Sequence, residues 1–561
     1  MKGLYPIVRR KLPEGVRLDP NVYVTMRDGI KLAVDVYRPE AEGRYPGILS
    51  MSPYIKEMQL ESPHLSHSIE AGATGFFVPK GYAHVIATVR GSGFSQGQYN
   101  YYDLIEQQDG YDLIEWIARQ PWCNGNVGML GDSYFGKIQY MVAAQKPPHL
   151  KCIVPYDAGT DQYRDVVYQG GVFWAQFLGM WGPDAIQQCL WPGPVEGKLP
   201  PANFLNELLS YPEDGPYHWE RSAWTKIDRI DVPVLNIVAL TTVHSRGQLY
   251  SYPQIRSPKK LLVVPRPDWL ANVLFVKSKP LNEQILRWFD YWLKGVDTGI
   301  MKEPSVTVFD SGTFEWRHEN EYPLARTQWT KFYLHSNPEG ASTRPPYGLI
   351  SCDPPGSEDP DRYTTPNQEA VLAGKPGIAL AYATSPLAAE VRLWGPLSIT
   401  LFGSTTGFDT IWFVKLGDIG PEGEVTLLTQ GHLKASFVEI DEAKSKPGQP
   451  FHPFQNPVLP KAKSVYEYRI EMMPIFHTFK RGHKIWVQIA SDDYEYQGKL
   501  RSQYIYEGLP VPGENVVYHD PAHPSHLVLP VIPDAPVIKP VGPPISCLLY
   551  TSPSPRDRTR S

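Results

Sequence analysis

The sequence predicts an α/β domain on a mostly parallel sheet, followed by an all-β domain. Three observations predict it. Short apolar strands alternate with helix-period segments from residue 22 to 157 and resume at 232. An aromatic, proline-rich stretch at 158–230 interrupts them with helical segments and no clear strand. From about residue 325 onward helices nearly vanish, and short alternating runs recur between turn residues, a β-sandwich pattern.

The elements follow in order. "VYVTMRDGIKLAVDVYR" (22–38) carries two alternating runs around Asp28-Gly29, and Asp-Gly supplies the positive φ angles of a two-residue hairpin. "YPGILSMSPY" (45–54) and "YAHVIATVRGSG" (82–93) are apolar strands ending in polar loops. "YDLIEWIARQ" (111–120) puts Leu113, Ile114 and Ile117 on one helical face. "NVGML" (126–130) is a buried strand, "YFGKIQYMVAAQ" (134–145) a helix and "LKCIVPYD" (150–157) the next strand. "VPVLNIVAL" (232–240), "KKLLVVP" (259–265), the helix "LNEQILRWFDYWLKG" (281–295) and "SVTVFDSG" (305–312) continue the alternation. The doubled "DLIE" at 103–106 and 112–115 reads as a local coincidence.

Composition narrows the function classes. At 561 residues the chain exceeds one hydrophobic core. Apolar residues make up 42% and charged residues 20%, as in soluble globular chains. A net charge of −5 gives no electrostatic reason to expect nucleic acid or an anionic membrane. Cys123, Cys152, Cys189, Cys352 and Cys547 are odd in number and dispersed, forming neither a disulfide framework nor a CxxC pair. With no signal-peptide core and no apolar run of ~18 residues, the expected location is cytoplasmic. Residues 547–561, "CLLYTSPSPRDRTRS", read as a non-native tail. The H-x₂-H pairs His64/His67 and His523/His526 lack further ligands, so no metal is expected.

Chemistry centres on "GMLGDSYFGKIQY" (128–140). Ser133 falls between a strand and a helix, with Gly131 two residues before it and Gly136 three after. Small residues at such a junction permit a strained turn that lifts a serine hydroxyl above the sheet edge. The Tyr134 N–H then faces a developing oxyanion. Taken alone, the same residues also describe an ordinary strand–turn–helix with an exposed serine.

The stretch "GMLGDSYFG" resembles the G-x-S-Y-x-G elbow of the CocE/NonD and Xaa-Pro dipeptidyl-peptidase (S15) hydrolases. "VTMRDGIKLAVDVYRPE", "SPYIK" (52–56), "VRGSGFSQG" (89–97) and "EWIARQPWCNGNVGMLGDS" are similar to that family's successive segments, and "FKRGHKIWVQIASDD" and "HPSHLVLPVIP" to its C-terminal ones. The match runs from about residue 20 to 535 in order. The resemblance implies an α/β-hydrolase domain (1–157 and 231–318), a helical cap (158–230) and a galactose-binding-like jelly roll (319–546). It implies cleavage of a small-molecule ester, amide or short peptide through an acyl-serine at Ser133. Tyr54 and the Tyr134 N–H would then serve the oxyanion hole. No cofactor is implied, and homo-oligomers are expected by analogy with large relatives.

The pattern breaks at the relay. The family's acid loop, G-W-x-D, reads "TTVHSRGQL" here, with Thr242 near the acid position. Its histidine loop, G-P-W-x-H, reads "VVPRPDWLANV", with Asp268 or Asn272 in place of the histidine. Three readings remain open. A rearranged relay uses His244 as base and Asp268, or alternatively Asp157, as acid, with His64 or His67 a further choice of base. An impaired or repurposed enzyme keeps Ser133 and its oxyanion donors without the relay. A non-catalytic homologue binds a ligand or partner on the same scaffold.

Overall fold

The computed structural model describes residues 12–57, 68–240, 242–265, 278–337, 340, 345–365, 379–491 and 511–533. A ten-stranded sheet organises the first half. Its strands are β1 (Val16–Thr25), β2 (Lys31–Pro39), β3 (Tyr45–Ser52), β4 (Ala83–Thr88), β5 (Cys123–Asp132), β6 (Leu150–Tyr156), β9 (Val234–Ala239), β10 (Lys259–Val264), β11 (Val306–Asp310) and β12 (Glu315–Glu319). Their spatial order is β1-β2-β4-β3-β5-β6-β9-β10-β11-β12. From β4 to β11 every neighbour pair is parallel, while β1, β2 and β12 join antiparallel at the edges. The Asp28-Gly29 turn joins β1 to β2, with Thr25 opposite Lys31. It is longer than the two-residue hairpin expected, because Gly29 N–H bonds to Met26 O at 2.9 Å and Met26 N–H to Ile30 O at 2.8 Å, and of the pair only Gly29 takes a positive φ.

Helices cover both faces, so the parallel strands are buried on both sides. The alternation of side chains along each strand divides the core in two. Leu49, Met51, Met129 and Ile153 join one cluster with Leu113 and Ile117 of α2 (Leu104–Ala118) and Ile138 and Val142 of α3 (Tyr134–Ala143). Ile48, Leu130 and Val154 join the other with Ile285, Trp288 and Phe289 of the helix Lys279–Lys294. Close approach fixes a glycine there: a Cβ on Gly128 would sit 3.0 Å from Phe289.

Helix α2 begins seven residues before the segment whose periodicity announces it. Asp103 caps it by accepting the Glu106 N–H at 2.9 Å. The first "DLIE" is thus a helix start rather than a coincidence.

Between β6 and β9 the chain forms a π-helical turn (Gln162–Val167), a two-residue hairpin β7/β8 (Tyr168–Gln169 and Val172–Phe173), α4 (Ala175–Leu190), α5 (Phe204–Ser210) and α6 (Pro216–Glu220). The hairpin is an addition to the sequence reading, which finds no clear strand there. It is too short to leave a periodic trace, and Gly170-Gly171 turn it against His432 and Phe437.

Beyond β12 the regular structure among the described residues is β apart from one short 3-10 turn (Ala435–Phe437). Eleven strands form one sheet, with the long β17 (Val391–Thr405) and β20 (Tyr466–Phe479) paired along most of their length. The strand β25 (His526–Val531) pairs with both β13 (Gln328–His335) and β17, so the sheet folds back and closes on itself. Among the described residues no helix is long and apolar enough to cross a membrane.

Candidate functional site

The elbow is built by two glycines and one strained residue. Ser133 stands between β5 and α3 at φ 55° and ψ −114°. A positive φ at a non-glycine residue costs about 1–3 kcal/mol and persists only where the surroundings impose it. Here its N–H donates to Tyr156 O at 3.1 Å, and its carbonyl accepts Gly136 N–H at 3.0 Å and Lys137 N–H at 2.8 Å. A Cβ on Gly131 would sit 2.2 Å from Phe135 Cβ, and one on Gly136 would sit 2.7 Å from Tyr156 O. The turn therefore needs both glycines for close approach. Ser133 is half-buried, whereas every residue of α3 is buried. The Tyr134 N–H belongs to the first helical turn, whose donors the helix itself leaves unpaired. Among the described residues the Ser133 hydroxyl forms no hydrogen bond.

Tyr54 follows β3 in a loop pinned from below. Its N–H donates to Ser52 Oγ at 3.0 Å, and Ser92 of the glycine-rich loop donates to Pro53 O. That loop is held in turn by Arg90, which grips Asp109 with two bonds of 2.7 and 2.6 Å and reaches Asp28 at 2.9 Å. "VRGSGFSQG" is thus a brace between the first hairpin, α2 and the Tyr54 loop. The Tyr54 hydroxyl accepts from Trp181 Nε1 at 2.8 Å, and its ring meets that of Tyr134 edge-on at 6.0 Å. Burial, reinforced by the Glu70 charge, pushes the Tyr54 phenol well above its ordinary range. It stays protonated.

An aromatic wall stands beside it. The Tyr134 ring stacks on Tyr102 at 3.8 Å, and its hydroxyl donates to Glu106 at 3.0 Å. Burial raises the Glu106 carboxyl to about 8. "YNYYD" (99–103) was the available sequence signal for this wall.

The rim opposite carries the residues nominated for the relay. Thr242, near the acid position, donates from Oγ1 to Asp157 Oδ1. Asp157 lies just past β6 at φ 40°, its N–H bonded to Ile237 O at 2.8 Å. His244 precedes α7 (Ser245–Ser251) and is buried. Its Nδ1 lies 3.3 Å from the point a Cβ on Gly159 would occupy, and Asp165 Oδ2 lies 2.9 Å from the same point. The structure thus places His244 beside Gly159 and Asp165. Asp268 and Asn272 fall within 266–277, and His64 and His67 within 58–67; both stretches lie outside the described residues.

Sequence reasoning missed a buried charge cluster on this rim. Lys137, one turn along α3 from Ser133, is 5% exposed, and Glu70 is 2% exposed. Burial lowers the Lys137 ammonium to about 8, against the pull of Asp165, Asp157 and Glu70. Burial and the Asp157 charge push Glu70 well above the carboxylate range. Asp165 is raised to about 7 by burial, opposed by Arg246, which binds it at 3.1 Å and reaches Glu471 of β20 at 2.8 Å. The sequence signal was a lone lysine in an otherwise uncharged buried helix.

A cleft of about 590 Å³, its open mouth included, lies elsewhere. It is lined by Arg164, Arg246, His432 and Glu471 among others, and by no residue of the elbow. Among the described residues no group of three or more His, Cys, Asp or Glu is arranged to hold a metal ion.

Known proteins resemble the chain along most of its length. The family model of X-Pro dipeptidyl-peptidase (S15 family) matches residues 28–267, and that of the X-Pro dipeptidyl-peptidase C-terminal non-catalytic domain matches 298–528. The chain is similar to cocaine esterase from Rhodococcus sp., 28% identical over 91% of this chain and 98% of the relative. It is also similar to a putative Xaa-Pro dipeptidyl-peptidase from Bacillus anthracis, 24% identical over 84% of this chain and 82% of the relative. The solved structure of a CocE/NonD family hydrolase from Staphylococcus aureus shares the fold, with TM-score 0.80 and 22% identity over 92% of this chain and 94% of that one.

Proposed function

The chain belongs to the CocE/NonD hydrolases of the S15 X-Pro dipeptidyl-peptidase family, and on that premise we propose that it hydrolyses an ester or amide bond through an acyl-serine at Ser133. The observation that carries this reading is the elbow itself: a serine in a strained φ at the mouth of α3, followed by the Tyr134 N–H, with the ring of a protonated Tyr54 against those of Tyr134 and Phe135. Ser133 Oγ attacks the substrate carbonyl, and the oxygen that gains charge is received by Tyr54 and the Tyr134 N–H. The acyl group passes to water in a second step. Substrates are small-molecule esters, amides or short peptides, and the chemistry of these groups calls for no cofactor.

The proton acceptor that the sequence nominates is His244, with Asp268 or Asp157 as its acid. Family membership also supports the division into hydrolase domain, a cap over 158–230 and a jelly roll beyond 319.

A fluorophosphonate probe tests the reading. Wild type should label on one serine, and Ser133→Ala should abolish labelling. Labelling of the Ser133→Ala protein at the wild-type rate would refute it. A second reading, an impaired or non-catalytic homologue, is favoured by the relay loops, which carry Thr242 near the acid position and Asp268 or Asn272 in place of the histidine. Under it the wild type itself fails to label.

A further inference from the structure

We propose that Lys137 is the group that takes the proton from Ser133, so that the elbow works as a serine–lysine pair. This rests on the acyl-serine reading above.

Place is the first argument. Lys137 and Ser133 share one helical turn, tied by the Lys137 N–H bond to Ser133 O at 2.8 Å. A helical side chain leans toward the N-terminus, so the lysine stem runs back over the turn that Ser133 begins. Both residues also converge on the tip of β6. Ser133 is bonded to Tyr156 there, and Lys137 feels the charge of Asp157 next to it.

Isolation is the second argument. Lys137 is buried, yet among the described residues its ammonium forms no hydrogen bond and no ion pair at contact distance. Buried lysines are ordinarily held by such partners, because an unpaired ammonium in a dry site is costly. Lys56 shows the ordinary case in this same chain: equally buried, it contacts Asp35 at 2.9 Å and Asn21 at 2.6 Å. Lys137 has carboxylates around it instead of against it: Glu70 from the turn after β3, Asp157 from the end of β6 and Asp165 from the π-helical turn. Asp165 is itself engaged by Arg246 of α7, and His244 lies beside it. Burial then brings the amine close to working pH, where a base is most effective.

The step balances. The neutral Lys137 amine accepts the Ser133 hydroxyl proton, directly or through one water, as the Oγ–carbon bond forms and the carbonyl π electrons move onto oxygen. The resulting ammonium returns the proton to the leaving alkoxide or amine as the carbon–heteroatom bond breaks. Water, deprotonated by the same amine, then releases the acyl group and regenerates the serine. His244 has no part in this cycle.

The test is the rate of fluorophosphonate labelling of the full chain across pH 6–10. Wild type, Ser133→Ala, Lys137→Met and Lys137→Arg are compared. Wild-type labelling should rise with pH around a midpoint near 8, not near the ~6.5 of an imidazole. Lys137→Met and Lys137→Arg should each label about 100-fold more slowly. Arginine keeps the positive charge but cannot accept a proton, so its failure excludes a purely electrostatic role. Wild-type rates in Lys137→Arg, or a wild-type midpoint near ~6.5, would overturn the proposal. The wild-type pH midpoint decides it even where a Lys137 variant does not fold. Wild type labelling no faster than Ser133→Ala would instead refute the acyl-serine reading, and this inference with it.

Discussion

Asp310 and Lys137 are both buried ionisable residues, and the protein treats them in opposite ways. Asp310 ends β11 and is fully buried. Its carboxylate accepts from Gly312 N at 2.9 Å, Thr313 N at 3.0 Å, Thr478 N at 3.1 Å, Thr478 Oγ1 at 2.5 Å and Trp394 Nε1 at 2.9 Å. Thr478 lies on β20 and Trp394 on β17, so one carboxylate fastens the parallel sheet to the C-terminal domain. Lys137 has none of this. A saturated buried charge serves architecture, because every donor around it would be orphaned by its loss. An unsaturated one is a cost that structure alone does not explain, and such sites gather where chemistry is done.

The most severe way to break the contrast is Asp310→Ala. It strands the indole N–H of Trp394 and the backbone N–H of Thr478 in a dry interface. The expected loss is about 3–5 kcal/mol of unfolding free energy, read from the urea midpoint. A loss under about 1 kcal/mol would show that saturation is not what holds the two domains together.

Asp310 also marks the limit of what the sequence reveals. "SVTVFDSG" announces a strand and a turn, but not that Thr478 and Trp394 converge on its aspartate. Elements whose periodicity matches their burial were legible: the Asp28-Gly29 hairpin, the alternation from β3 to β6, and the elbow, whose strained serine and close-packed glycines are neighbours in sequence. The first turns of α2 were not. There Leu104 and Ile105 are 42% and 46% exposed while Glu106, Gln107 and Asp109 are buried. The pattern is inverted, because Glu106 binds Tyr134 and Asp109 binds Arg90. The same reason hid the rim. Glu70, Lys137, Asp157 and Asp165 come from four separate segments, and only the sheet topology assembles them.

A second substitution sharpens the contrast within the site. Tyr54→Phe removes the hydroxyl proposed as an oxyanion donor and leaves the ring contacts with Tyr134 and Phe135 in place. Loss of such a donor costs about 10²–10³ in rate. The fluorophosphonate labelling rate should fall by that factor while the unfolding midpoint moves little. The Trp181 N–H loses its acceptor, at a cost of about 1 kcal/mol. A large stability loss with unchanged labelling would assign Tyr54 to architecture, beside Asp310.

The smallest expected effect is the most diagnostic, because its sign is reversed. Lys137→Met replaces a buried ammonium by an apolar chain of similar length. Where Asp310→Ala destabilises, this change should raise the unfolding free energy at pH 7 by about 1–3 kcal/mol. The gain should depend on pH. Burial lowers the folded-state lysine to about 8, from 10.5 in the open chain. Between those values the unfolded wild type binds more protons than the folded one, so wild-type stability rises as pH climbs from 8 to 10.5. The methionine variant lacks that rise, and its advantage should therefore shrink across the window and vanish above it. Urea unfolding at pH 7, 9 and 10.5 measures the closing gap. A variant less stable than wild type at pH 7 would mean that Lys137 is held by partners as Asp310 is, and the two residues would cease to differ.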